Sequence, residues 1–210
     1  MSDERAAGAS SRRPRAGKAR PTERAARHVE QTLAMPTSGR VRIAAVADTH
    51  SKPHPRSREL LARERPAAVL HAGDIGDLSV LDELGAVAPV IAVRGNIDGH
   101  DGPPDSVRLR LLSDGAAVFT LLLTHIAVNG PRLRADAVRA ARRRGAQLVV
   151  CGHSHVPLLA STDGIAVFNP GSCGPRRFRL PITFGVIDVT PNGVDFRHVD
   201  CETGAAWQPA

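Results

Sequence analysis

Five short polar segments, each directly after an apolar run, carry the side chains of this chain that could do chemistry. They are Asp48-Thr49-His50 after VRIAAVA, Gly73-Asp74 after AAVLHA and Gly95-Asn96 after PVIAVR. Thr124-His125 follows FTLLL, and Cys151-Gly152-His153-Ser154-His155 follows QLVV. Four imidazoles, two carboxylates and one amide are thus presented at successive strand ends. Mixed imidazole and carboxylate donors suit Mn, Fe, Zn or Co better than Ca. Seven donors exceed what one ion takes. Two ions about 3.5–4 Å apart and sharing a carboxylate would use them all. Asp74 is the natural bridge, because a carboxylate has two oxygens to share. The pair in VVCGHSH is ambiguous alone, since polar residues are common where a strand meets its loop. Set beside the other four segments it reads as two ligands. If the segment is extended, alternation of side chains sends His153 and His155 to different ions.

Those donors converge only if the strands that deliver them lie side by side. VRIAAVA, AAVLHA and PVIAVR are short apolar runs that read as buried strands. SRELLARERP and LSVLDELGAV between them read as helices, the first stopped by Pro66. Strands alternating with helices mean a parallel α/β sheet, with ligands beyond the carboxyl ends of its strands. VRLRLL and AAVFTLLLTH then read as a hairpin around Ser113-Asp114-Gly115. PRLRADAVRAARRRG reads as a helix ended by Gly145. The rest is short strands punctuated by Asp163-Gly164 and Asn192-Gly193, both hairpin turn pairs. This organisation predicts an α/β fold of two sheets packed face to face with helices outside.

The bulk composition bounds the function. A chain of 210 residues suggests one domain with something appended. Hydrophobic residues make up 42% and aromatics 3%, with no tyrosine, so the core must be built from Val, Leu, Ile and Ala. The formal charge of +7 is uneven. Residues 1–40 hold nine Lys/Arg against four acids, a balance of +5 that leaves only +2 for the other 170. A near-neutral body argues against long nucleic acid as substrate; weak contact by the basic tail is a separate matter. Residues 1–40 read as a disordered tail, with a transient helix around Glu23 to Leu33 and Met35 as an alternative start. Residues 41–200 form the domain and 201–210 a C-terminal tail. Cys151, Cys173 and Cys201 form no CxxC pair and suit a reducing cytoplasm. No apolar run reaches the roughly 18 residues of a membrane helix. Nothing in the chain argues against a homo-oligomer.

Taken in order, Asp48-x-His50, Gly73-Asp74, Gly95-Asn96-x-Asp98, His125 and Gly152-His153-x-His155 resemble the calcineurin-like metallophosphoesterase superfamily. Asn169-Pro170-Gly171-Ser172 is similar to its small bacterial and archaeal phosphodiesterase branch. The resemblance implies a four-layer α/β/β/α sandwich of two mixed sheets with flanking helices. It implies a dinuclear centre with Asp48, His50, Asp74 and His155 on one ion and Asp74, Asn96, His125 and His153 on the other. Manganese is the first expectation, with Fe, Zn, Co, Ni or Mg as alternatives. The implied reaction is hydrolysis of a phosphodiester P–O bond in a small-molecule substrate, by a water that the metals activate. Asp74 and Asn96 then take part in catalysis through the metals. Asp98 becomes a carboxylate that orients a ligand or the water. Arg94 and Lys52 are candidate phosphate contacts, with Arg56, Arg176 and Arg177 behind them.

Two positions depart from the family pattern. Ile97 stands where many members have a histidine that assists the leaving group, and isoleucine cannot donate a proton. Ile126 stands where relatives usually have glycine. The absence of tyrosine excludes the purple acid phosphatase pattern. Competing readings are a nuclease or nucleotide phosphatase on the same fold, and a non-catalytic protein-interaction scaffold. Several polar residues read as structural. His71 lies inside an apolar strand as a hydrogen-bonded core histidine, Asp77 is a better helix cap than Asp74, and His54 and His100 are solvent-exposed loop residues. His28 and His198 are expected to play no part.

Overall fold

The computed structural model describes residues 25–208. The element order is β1 His28–Ala34, β2 Val41–Val46, α1 Ser57–Glu64, β3 Ala68–His71, α2 Ser79–Gly85, β4 Val90–Ala92, β5 Ser106–Ser113 and β6 Ala116–Thr124. It continues with β7 Val128–Asn129, β8 Arg132–Leu133, α3 Ala135–Arg143, β9 Leu148–Val150, β10 Leu158–Thr162 and β11 Ile165–Asn169. β12 Thr183–Thr190, β13 Gly193–Asp200 and β14 Ala206–Trp207 complete it. Two six-stranded sheets result, in the orders β1-β5-β6-β9-β11-β10 and β14-β13-β12-β2-β3-β4. β7 and β8 pair separately as a two-stranded ribbon.

The alternation of side chains along the strands builds the layers. From β2, Val41, Ile43 and Ala45 point between the sheets, where they meet Leu70, Val107, Leu109, Leu121, Val150 and Phe168. Ala44 and Val46 point the other way and pack under Leu60 and Leu61 of α1 and Val80 and Leu84 of α2. On the second sheet, Leu122, Val149 and Val167 face Ala137, Val138 and Ala141 of α3. The layers are therefore helix, sheet, sheet, helix. β2, β3 and β4 run parallel, as do β6, β9 and β11. The chain thus brings several strand ends to one edge.

Close packing between the layers has a direct consequence at Gly185, on β12. A Cβ there would lie 2.2 Å from Phe168 Cε1, and Phe168 is wholly buried. Gly185→Ala is expected to destabilise the fold by about 1–3 kcal/mol, the usual cost of overpacking a full core. Urea unfolding measures it, and an unchanged midpoint would show that the layers have slack here.

The termini differ from the expectation. The segment read as disordered, with transient helix to Leu33, includes a strand. β1 pairs in parallel with β5 over seven residues, from His28↔Ser106 to Ala34↔Leu112. Met35 continues the pairing by donating its N–H to Leu112 O at 2.8 Å. The strand is exposed, so main-chain hydrogen bonds and charge pairing hold it rather than burial. Glu30 spans Arg108 and Arg110, 3.1 Å from each. At the other end β14 adds to β13 through His198↔Trp207, where a tail was expected. The expectation for residues 1–24 lies outside the described residues.

Candidate metal centre

The strand ends turn sharply where they deliver side chains. Asp48, His50, Ser51, Asp74, His153 and His155 all have left-handed backbone, with φ between 46° and 70°. Such conformations are uncommon for non-glycine residues and cluster at functional sites. His153 and His155 therefore do not alternate along an extended segment: β9 ends at Val150 and both residues lie in left-handed turns. Their separation comes from those turns. The His155 ring stacks on His50 with centroids 5.3 Å apart, and the His153 ring stands edge-on to His125 at 5.2 Å.

The donor atoms converge. His50 Nε2 and His155 Nε2 are 3.4 Å apart, and His155 Nε2 is 3.5 Å from Asp48 Oδ1. Asp74 reaches both ways, with Oδ2 3.8 Å from His50 Nε2 and Oδ1 3.3 Å from His125 Nε2. Two groups able to hold an ion result, Asp48-His50-His155 and Asp48-Asp74-His125. Asp48 belongs to both, and Asp74 faces histidines of both. Asn96 lies exposed at the rim beside His125, and its backbone N–H helps hold the Asp74 carboxylate. His153 lies outside the two groups, against the His125 ring.

The surroundings fit a cation. Donors about 2.0–2.1 Å from a tetrahedral ion stand about 3.4 Å from one another, the spacing found here. Buried ring nitrogens normally have a partner. Yet His155 Nδ1 is buried with no hydrogen bond among the described residues, and His125 Nε2 faces only the Asp74 carboxylate, 3.3 Å away and without a well-aligned hydrogen bond. The other nitrogen of His125, Nδ1, donates to Ala72 O at 2.7 Å, which turns Nε2 toward Asp74 and the site. Burial opposes charge on this ring, but Asp74 raises its pKa, so an ion taking Nε2 would displace a proton. Burial first, then the charges of Arg177 and His50, lowers the His155 pKa to about 4. His50 and His153 are also lowered by burial, and all three offer unprotonated nitrogen at neutral pH. Burial pushes Asp48 up to about 7, with the charge of Asp74 adding to it. Burial also opposes the charge on Asp74, but the hydrogen bond and charge of His125, with the N–H groups of Ile97 and Asn96, hold its carboxyl well below the ordinary range. A buried acidic pair with unpartnered nitrogens around it is a cavity for positive charge.

The residues behind the donors explain why the turns hold. His71 is the core histidine expected. Its Nδ1 accepts Gly73 N–H and its Nε2 lies 2.9 Å from Thr49 Oγ1, which donates to Ile75 O. Asp98 sits behind the donor loops. Its oxygens accept N–H groups of Ile75, Gly76 and Gly95 at 2.7–3.1 Å, so it clamps the loops of Asp74 and Asn96 together through their backbone. Those loops touch: a Cβ on Gly95 would lie 2.2 Å from Asp74 N and Oδ1. Asp77 takes the helix-start role, accepting Ser79 N–H.

Asn169 and Ser172 carry roles that residue type alone did not reveal. Asn169 Nδ2 donates to Gly152 O and Ser154 Oγ, bracing the turn that carries both histidines. Ser172 Oγ donates to Asp48 O. His198, expected to be idle, lies 2.8 Å from Asn169 O through Nε2 and stacks on Phe168. The available signal was Asn169 at the end of a buried strand just before proline. Among the cations, Arg177 Nη2 is 3.2 Å from His50 Nε2. Arg176 is held by Glu202 and Leu180 O, Arg94 by Asp105, and Lys52 lies exposed on the turn after His50.

Comparison with known proteins agrees with this geometry. The profile of the calcineurin-like phosphoesterase superfamily domain matches residues 41–192. The chain belongs to this superfamily. It is 33% identical over 141 residues to a probable metallophosphoesterase of Methanothermobacter thermautotrophicus, covering 62% of this chain and 76% of the relative. It is 27% identical over 157 residues to a phosphodiesterase of Methanocaldococcus jannaschii, covering 70% and 93%. In fold, this calcineurin-like phosphoesterase is similar to vacuolar protein sorting 29 of Cryptosporidium parvum, with a TM-score of 0.66 at 19% identity over 80% of this chain and 95% of that one. The family and the donor cluster together make it a metal-dependent phosphoesterase that uses divalent ions. No helix among the described residues is long and apolar enough to cross a membrane.

Proposed function

We propose that the chain is a cytoplasmic phosphodiesterase acting on a small phosphorylated molecule with two divalent ions, manganese first among them. The observation that carries the dinuclear reading is Asp74, whose two oxygens face two different histidines, His50 and His125. Asp48, His50, Asp74 and His155 would hold one ion, and Asp74, Asn96, His125 and His153 the other. Bound there, the ions supply Lewis-acid activation of water and neutralise phosphoryl charge. The chain itself positions and charges the site. Asp48 is fixed by His153 N–H at 3.0 Å, and Arg177 adds positive charge beside His50, where an anionic phosphoryl group is attracted. Asp98 keeps the two central loops in register. The absence of thiolate donors suits an oxygen- and nitrogen-preferring ion. Three buried, unpaired cysteines support a reducing compartment.

The diester preference is supported by a cavity of about 320 Å³ beside Asn96 and His125, with room for a second alcohol group that a monoester lacks. The test compares bis-p-nitrophenyl phosphate with p-nitrophenyl phosphate in the presence of Mn, Mg, Zn or a chelator. Diester turnover is expected only with metal, at about tenfold or more the monoester's kcat/KM, a difference of about 1.4 kcal/mol. Elemental analysis should find two ions per chain. Equal turnover with and without metal, or none of either substrate, would sink the proposal.

A further inference from the structure

The cavity beside Asn96 and His125 has a wall tied down by residues that precede the family-matched region. Its lining includes Arg94, Asn96, His100, Asp105, Thr124 and His125. Asp105 is the node of that wall. Its Oδ1 lies 2.7 Å from both Nε and Nη2 of Arg94, and its Oδ2 accepts the N–H of Arg27 at 2.7 Å. The N–H groups of Asp105 and Ser106 in turn donate to Arg27 O. The Arg27 guanidinium then crosses the loop, with Nη1 donating to His100 O at 3.1 Å and to Gly102 O at 2.9 Å. That loop contains Gly99 and Gly102 and has no helix or strand of its own. Glycine-rich backbone is ordered only by what ties it down. Arg27 is held at its post by the strand that follows it, through the β1–β5 ladder and His28 Nδ1 2.8 Å from Ser106 Oγ.

We infer that Arg27 and β1 are specificity-determining parts of the active site: they hold the 99–105 loop as the wall of a polar cavity that receives the uncharged, hydroxyl-bearing alcohol group of a phosphodiester. This rests on the phosphodiesterase reading above. The class of ligand follows from the lining. Beside the metal donors Asn96 and His125, the His100 imidazole and the Thr124 hydroxyl remain to offer hydrogen bonds, and Ile126 gives one apolar face. The one guanidinium is matched by Asp105, so the cavity offers no unopposed charge to a second anion. A nucleoside or sugar-like alcohol has this chemistry; a long acyl chain does not. Arg27 acts through the loop and is a positioning residue, not a catalytic one.

The test uses the full chain with Arg27→Ala, which keeps the backbone N–H to Asp105 and the β1–β5 ladder and removes only the ties to His100 and Gly102. Two diesters sharing one leaving group are compared, thymidine 5′-p-nitrophenyl phosphate and methyl p-nitrophenyl phosphate. The variant is expected to raise KM for the thymidine diester about tenfold, the scale of one charged hydrogen bond, and to leave kcat/KM for the methyl diester within about twofold. Arg27→Lys, whose ammonium keeps the charge and three donors but sits on a shorter stem, should fall between. Hydrogen exchange at amides 99–105 should quicken in Arg27→Ala while β1 stays protected. Equal effects on both substrates, or unchanged exchange in the loop, would overturn the inference while leaving the phosphodiesterase reading intact. Failure of the wild-type chain to hydrolyse either diester would overturn both.

Discussion

Asp74→Asn is expected to lower metal-dependent turnover of bis-p-nitrophenyl phosphate by about 10³-fold or more, with little effect on the fold. Loss of a single preorganised electrostatic group at a reacting centre costs about 10²–10³ in kcat, and Asp74 is proposed to serve two ions at once. The substitution is chosen for its backbone. Asp74 has φ 53°, and asparagine is one of the few residues that accepts this region readily. The amide oxygen can keep the hydrogen bond from Ile97 N–H at 3.2 Å. What changes is the second oxygen. It becomes an NH₂ group that can neither bind a cation nor carry the negative charge now facing His50 and His125. Metal content should therefore fall along with activity, while circular dichroism and the urea midpoint stay close to wild type. Wild-type activity in Asp74→Asn would remove Asp74 from the site and with it the dinuclear reading.

The donors were legible in the sequence because their physics is local. A buried strand ends where its apolar run ends, and the polar residue just beyond must lie at the sheet edge. That reasoning placed Asp48, His50, Asp74, Asn96, His125, His153 and His155 around one edge, where the structure has them. The way they are presented was not legible. His153 and His155 are separated by left-handed turns that hydrogen bonds from Asn169 and to Asp48 stabilise, and those partners lie 14 or more residues away in sequence. Asp98 reads in the sequence as a carboxylate that orients a ligand or the water; that it does so through three backbone amides was not legible. β1 was missed for a different reason. HVEQTLA is exposed along nearly all its length, so no apolar alternation marks it as a strand. Its stability comes from pairing with β5 and from Glu30 meeting Arg108 and Arg110, 78 and 80 residues away. Hydrophobic periodicity reports burial, and an edge strand held by main-chain bonds and charge carries none.

Divalent metal is expected to raise the melting temperature at pH 8 by on the order of 10 °C, and the rise should shrink steeply as the pH falls toward 6. Ion at about a thousand times its Kd stabilises a folded state by about 4 kcal/mol. Each kcal/mol moves the midpoint of a domain this size by about 2–4 °C. The pH dependence follows from Asp48. Without metal its folded pKa is raised to about 7 from an ordinary value of 3.8, because its charge is buried. Between those values the metal-free folded chain binds a proton that the unfolded chain does not. The contribution of Asp48 to metal-free stability is therefore lost as pH rises from about 4 to 7. At pH 8 the metal-free site carries uncompensated negative charge and gains most from a cation. At pH 6 Asp48 is protonated, so the ion must expel that proton, at about 1.4 kcal/mol per pH unit below 7. His155 acts in the opposite direction and later, whereas His125, whose pKa Asp74 raises against its burial, acts with Asp48. The His155 pKa is depressed to about 4 from 6.5, so its own contribution is lost only as pH falls through that window. Melting curves with Mn or with a chelator at pH 8, 7 and 6 separate the two. A metal-induced shift independent of pH would mean that Asp48 does not bind the ion, and no shift at any pH would mean that the cluster does not hold one.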